Sequence, residues 1–123
     1  MSNIIAIFIG GGLGSLSRYG VSYLSMALNK SSFPIGTLAS NVLACVALGI
    51  FLIWYKERLF DNKMLESLLV LGFCGGFSTF STFSYETFEL IKSGNHYYAL
   101  ANVLISVLLC IGIFFILTKK VIV

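Results

Sequence analysis

Four long runs of apolar residues, separated by three short polar segments, make up nearly the whole chain. The runs cover Ile4 to Leu28, Phe33 to Tyr55, Leu65 to Ile91 and Tyr97 to Thr118, and the polar segments fall at Asn29 to Ser32, Lys56 to Lys63 and Ser93 to His96. A hydrocarbon core about 30 Å thick takes roughly 20 helical residues, which each run supplies. The pattern predicts an all-α membrane protein in which residues 1–123 form a single four-helix transmembrane domain. Trp54 and Tyr55 at the end of the second run, and Tyr97 and Tyr98 at the start of the fourth, read as interfacial aromatics.

Small and polar positions recur within the runs at helical spacing. Gly10 and Gly14 form a GxxxG pair, and Arg18 and Ser22 continue the same four-residue rise. Gly36, Ser40 and Ala44 make a second ridge beside Thr37, Asn41 and Cys45. In the fourth run Tyr98, Asn102, Ser106 and Cys110 line up as one polar stripe on a helix otherwise rich in Leu, Ile and Val. Such faces would be wasted against lipid, so a partner chain is expected.

The third run departs furthest from a plain span. Gly72, Gly75 and Gly76 precede Phe77, Phe80 and Phe83, which recur every three residues among Ser78, Thr79, Ser81, Thr82 and Ser84. A helix break is expected near Gly75 and Gly76. Lipid offers no partners to freed backbone groups, so a break at that depth must be buried in protein or line an ion or water path.

Composition narrows the classes. The chain is 58% hydrophobic and 11% charged, with a mean hydropathy of +0.95, far from a soluble domain. The first run lacks the basic start of a signal peptide and is too long for one. Net charge is +3, but no basic run is interleaved with aromatics, so nucleic-acid binding has no footprint. Cys45, Cys74 and Cys110 stand singly, without paired metal spacing, and read as reduced structural thiols. His96 reads as a solvated loop residue. Gly10-Gly11-Gly12-Leu13-Gly14-Ser15 has neither the preceding strand nor the following acid of a dinucleotide loop, so an enzyme reading is set aside. Lys56, Arg58, Lys63, Lys119 and Lys120 fall on one side of the membrane against Lys30 and Lys92 on the other, which places both termini in the cytoplasm.

Several residues can carry chemistry. Arg18 lies inside a span, where it either ties backbone carbonyls and Glu86 together or attracts anions. Asn41 serves as interhelical glue or faces a permeant ion. The stripe through Asn102, Ser106 and Cys110 allows interhelical hydrogen bonding or a track of donors for a small ion. Phenyl rings have positive edges that can face an anion, while carbonyls freed at a helix break suit a small hard cation. Glu86 is a helix-end carboxylate or a gate.

Taken together, Gly75-Gly76-Phe77-Ser78-Thr79-Phe80-Ser81-Thr82-Phe83, with Asn41 and Arg18 upstream, resembles the Fluc (CrcB-type) fluoride channel family over nearly the whole chain. The resemblance implies an antiparallel dual-topology dimer in the cell membrane, with two fluoride pores, passive fluoride export and a central structural sodium ion. By position, Phe80 and Phe83 would be pore phenylalanines and Asn41 the pore amide. Gly75 and Ser78 would give main-chain carbonyls to sodium. Asn102, Ser106 and Cys110 would form the fourth-helix track, with Arg18, Thr37, Thr82 and Glu86 as conduction-linked neighbours. Ser78 stands where many relatives have threonine, and Cys110 is a weaker donor than a hydroxyl. The five-to-two loop charge bias leaves a heterodimer open beside the favoured homodimer. A four-helix multidrug exporter would want a carboxylate where the first run carries Arg18, and a nonconducting subunit of a heteromer is the remaining alternative.

Overall fold

The computed structural model describes residues 1–54 and 61–122. All regular structure among them is helical: α1 (Ser2–Leu28), α2 (Ile35–Trp54), α3 (Lys63–Glu66), a π-helical segment (Ser67–Cys74), α4 (Gly75–Phe77), α5 (Phe80–Lys92) and α6 (His96–Ile122). Four spans are long and apolar enough to cross a membrane, the third running from Lys63 to Lys92. Tyr55, Lys56, Glu57 and Arg58 lie outside the described residues, as do the side chains of Trp54 and Lys120, and with them part of the expected aromatic belt and charge asymmetry.

Local chemistry sets the helix ends. Pro34 delays the second helix to Ile35, because the residue before a proline is biased away from helical backbone. The Asn62 side chain accepts from Leu65 N–H at 3.1 Å and starts the third span at Lys63. Asn95 N–H reaches back to Leu90 O at 2.8 Å and Gly94 N–H to Ile91 O at 3.1 Å. That closing turn places Gly94 at φ 88, which a side chain would resist. His96 is the exposed first residue of α6 and not a loop residue.

Packing is inverted relative to a soluble bundle. Apart from Phe77 and Leu90, the buried residues among those described are small or polar, including Ala6, Ala44, Ala99, Thr37, Ser40 and Asn102, whereas Phe8, Leu16, Leu108 and Phe115 are exposed. A lipid solvent explains both halves, since apolar bulk gains nothing by leaving lipid while close backbone contact and polar pairing do stabilise. α1 packs mainly against the π-helical segment and α4. A Cβ on Gly10 would run into Leu68 O and Phe73 N, one on Gly14 into Phe73 O and Phe77 N, and one on Gly76 would lie 2.5 Å from Gly11 O.

Gly72 and Gly76 of the third span therefore serve close approach to α1. Gly75 keeps helical backbone at φ −64, ψ −36, and its N–H bonds to Val70 O and Gly72 O. The break comes later than the sequence suggests, at Ser78 (φ −79, ψ 155) and Thr79 (φ −149, ψ 119). The π-helical stretch before it, with its wider i to i−5 bonding, is absent from the sequence reading because no residue pattern announces it.

Helices α2 and α6 run parallel. Phe33 meets Tyr98 edge-to-face at 5.8 Å at one end, and Gly49 faces the Leu117 side chain at the other. The turns at Asn29–Pro34 and Ser93–Asn95 thus share one end of the bundle.

Gly14→Ala should destabilise the protein by about 1–3 kcal/mol, because backbone must move to admit the methyl group. Gly12→Ala, with open space around its Cβ, should stay within about 0.5 kcal/mol. Thermal or SDS unfolding of the purified variants measures the difference.

Candidate functional site

The break between α4 and α5 is held open by side chains. In an uninterrupted helix Thr79 N–H would bond to Gly75 O. Here it donates to Asn41 Oδ1 at 2.7 Å, while Asn41 Nδ2 donates back to Thr79 O at 3.2 Å. The amide of α2 thus stands in for a helical turn. Likewise Thr82 N–H, which would close onto Ser78 O, bonds to Thr79 Oγ1 at 3.2 Å as the N-cap of α5.

Two carbonyls lose their helical donors through these diversions, those of Gly75 and Ser78. The Ser78 hydroxyl turns back to Cys74 O at 2.9 Å and leaves its own carbonyl free of that bond. Arg18 meets a third carbonyl of the broken stretch, its Nε donating to Gly76 O at 3.3 Å. Of the two uses expected for Arg18, carbonyl binding is present. Glu86 is not its partner, because Glu86 Oε1 accepts from Thr37 Oγ1 at 2.8 Å. The guanidinium keeps four further N–H groups beside the break.

Two cavities lie along α2 and α5, the second of them at this junction. The larger, about 540 Å³, sits at the end carrying the Asn29–Pro34 turn and is lined by Ser22, Ser31, Thr37, Glu86 and Glu89 among others. The second, about 360 Å³, is lined by Asn41, Thr79, Phe80, Phe83, Ser106 and Cys110 among others. Asn41 lies one helical turn beyond Thr37, and Phe83 one turn before Glu86, so the cavities follow one another along α2 and α5. Glu86 Oε2 is buried and meets no hydrogen-bond partner among the described residues.

Phe80 is 79% exposed on the single chain, and its ring lies 5.8 Å from that of Phe83 at 39°. Phe77, first of the repeat, is buried against Phe73 edge-on at 5.6 Å and belongs to packing.

The polar stripe of α6 divides. Tyr98 packs on Phe33. Asn102, 1% exposed, donates to Thr87 Oγ1 at 2.9 Å and accepts from Ser106 Oγ at 3.3 Å, while Thr87 donates to Phe83 O at 2.8 Å. Ser106 and Cys110 reach the second cavity, and Asn102 supports Ser106 from behind. Thr82 contributes its backbone to the cap and lines neither cavity. Thr79 and Thr87 were missed by sequence reading. A threonine directly before a helix start was a usable signal for the first, and nothing in spacing marks the second.

Known proteins share this arrangement of sequence. The family described as "CrcB-like protein, Camphor Resistance (CrcB)" matches residues 5–118. A protein of Coxiella burnetii named "Fluoride-specific ion channel FluC" is 50% identical over 111 residues, covering 89% of this chain and 90% of its own length. Proteins of the same name from Dehalococcoides mccartyi and Ruminiclostridium cellulolyticum are 43% and 40% identical, over 89% and 90% of this chain and 84% and 85% of theirs. A membrane-spanning bundle interrupted at Ser78 and Thr79, matched over about nine-tenths of its length by such relatives, makes this chain a member of the CrcB family.

Proposed function

We propose that this multi-pass membrane protein is a fluoride-selective channel that exports fluoride passively across the cell membrane. Relatives named as fluoride-specific channels cover nine-tenths of the chain, and the polar break beside two successive cavities carries the physical side of the reading. Fluoride enters the larger cavity, passes Thr37 and Glu86, and reaches the phenyl edges of Phe80 and Phe83 with donors from Cys110 and the free N–H of Asn41, joined by the Ser106 hydroxyl once it swings from Asn102 Oδ1 to the ion. Asn41 has one amide hydrogen left after binding Thr79 O, enough for a passing anion. A small anion gives up hydration there only for donors at short range, which larger halides cannot gather together.

The working unit in this reading is an antiparallel dimer of the chain with two pores. Exposed Phe80 supports a second copy, because its outer face otherwise meets lipid next to unpaired polar backbone. The carbonyls of Gly75 and Ser78 fit a structural sodium ion. Both are hard oxygen donors relieved of helical hydrogen bonds, and two copies supply two pairs. Sodium bound there would neutralise the carbonyl-rich end of α4 and join the two chains.

Three outcomes are expected. Liposomes holding the purified chain pass fluoride, read by a fluoride electrode, with chloride flux lower by orders of magnitude, and Phe80→Ile abolishes the fluoride flux while the protein still elutes as a dimer. Replacing sodium by a large organic cation lowers flux and dimer stability together, whereas Gly75→Ala, which keeps the carbonyl, loses less. Asn41→Ala leaves Thr79 N–H without its acceptor and lowers stability by about 1–3 kcal/mol in thermal unfolding, with loss of flux. Full flux in Asn41→Ala vesicles overturns its place in the path.

A further inference from the structure

The three cysteines stand alone in sequence, but two of them meet in space. Phe33–Tyr98 and Gly49–Leu117 fix the register of α2 against α6. Cys45 lies twelve residues beyond Phe33, and Cys110 twelve beyond Tyr98, so parallel helices bring them to one level. Both are free thiols of intermediate exposure, and both line the second cavity with Phe83, Val107 and Ile111.

We infer that Cys45 and Cys110 form a two-thiol chelating site for a soft divalent cation of linear, two-coordinate preference, set in the wall of the second cavity. Ligand count selects the class. Among the described residues no group of three or more His, Cys, Asp or Glu gathers around a possible metal, so four-ligand zinc chemistry has no support. Two soft sulfur ligands favour a soft ion of mercury(II) type over hard cations. Charge selects further, because a divalent ion with two thiolates is neutral overall, and an apolar wall opposes any net charge. Binding replaces two S–H bonds by two metal–sulfur bonds and releases two protons to water, with no electron transferred. Occupation places the metal beside Phe83 and Ser106, so it blocks conduction; this consequence rests on the channel reading given above.

The probe is mercury(II) nitrate in chloride-free buffer. It is applied to purified protein carrying Cys74→Ser, or Cys74→Ala should the first fold poorly, so that the pair holds the only thiols. After washing with excess monothiol, the pair retains about one mercury per chain, with a thiolate-to-metal charge-transfer band. Cys45→Ser and Cys110→Ser in the same background each retain roughly tenfold less, because chelation is lost. Monodisperse elution of each variant confirms that it has folded. Equal retention by pair and single-thiol proteins overturns the site. Fluoride efflux, normalised to each variant before loading, falls about tenfold or more in the pair and recovers on adding a dithiol chelator. Unchanged efflux in a metal-loaded pair overturns the block. A chain that retains mercury as a chelate yet passes no fluoride before loading overturns the channel reading and leaves the dithiol standing.

Discussion

The exchange between Asn41 and the backbone of Thr79 determines the rest of the structure. A buried backbone N–H and C=O without partners are costly, and in lipid no solvent relieves them. The Asn41 side chain supplies one acceptor and one donor at 2.7 and 3.2 Å, which lets two residues leave helical backbone at membrane depth. With that pair in place, Thr79 is free to cap α5 and Ser78 to turn its hydroxyl back on Cys74. Without it, a continuous helix through Gly75–Phe83 would satisfy the same groups, and neither the freed carbonyls nor the position of Phe80 would exist.

Glycine is what allows this junction to sit so close to α1. Gly10 and Gly14 on one side and Gly72 and Gly76 on the other leave out the Cβ atoms that would strike the facing backbone, and Arg18 reaches Gly76 O from the neighbouring helix. Backbone contact of this kind suits a membrane interior, where burying larger apolar side chains brings no gain over lipid. The same logic accounts for the polar seam of Ser106, Asn102 and Thr87, each hydroxyl or amide paired with the next.

Helix number and approximate limits are legible in the sequence, because apolar length and interfacial polarity act locally. Gly10 and Gly14 are legible as packing positions for the same reason. What escapes is anything that depends on a partner from another helix. Gly75 and Gly76 suggest a break, yet Gly75 stays helical on Val70 O and Gly72 O, Gly76 packs on Gly11 of α1, and the actual break lies where Asn41 can reach Thr79. Asn102 reads as an interhelical hydrogen bonder or an ion-facing donor, and the partner it donates to, Thr87, is a residue with no distinguishing spacing. The Cys45–Cys110 pair is invisible for the same reason, since only the register of α2 on α6 brings the two thiols together.

A broken helix also explains how a proposed anion path and a proposed cation site can share one junction. The chain before the break ends in carbonyls that carry partial negative charge, at Gly75 and Ser78, and the chain after it begins with N–H groups that carry partial positive charge, from Phe80 onward. One interruption therefore produces two poles of opposite sign a few residues apart. Arg18 on Gly76 O offsets part of the negative pole from the α1 side, and sodium shared with a second copy would offset more. The positive pole faces the cavity with Phe83 and Ser106, where no carboxylate is present among the lining residues. An anion there meets weak, distributed attraction in place of a fixed charge, and weak attraction is what allows an ion to leave as readily as it enters.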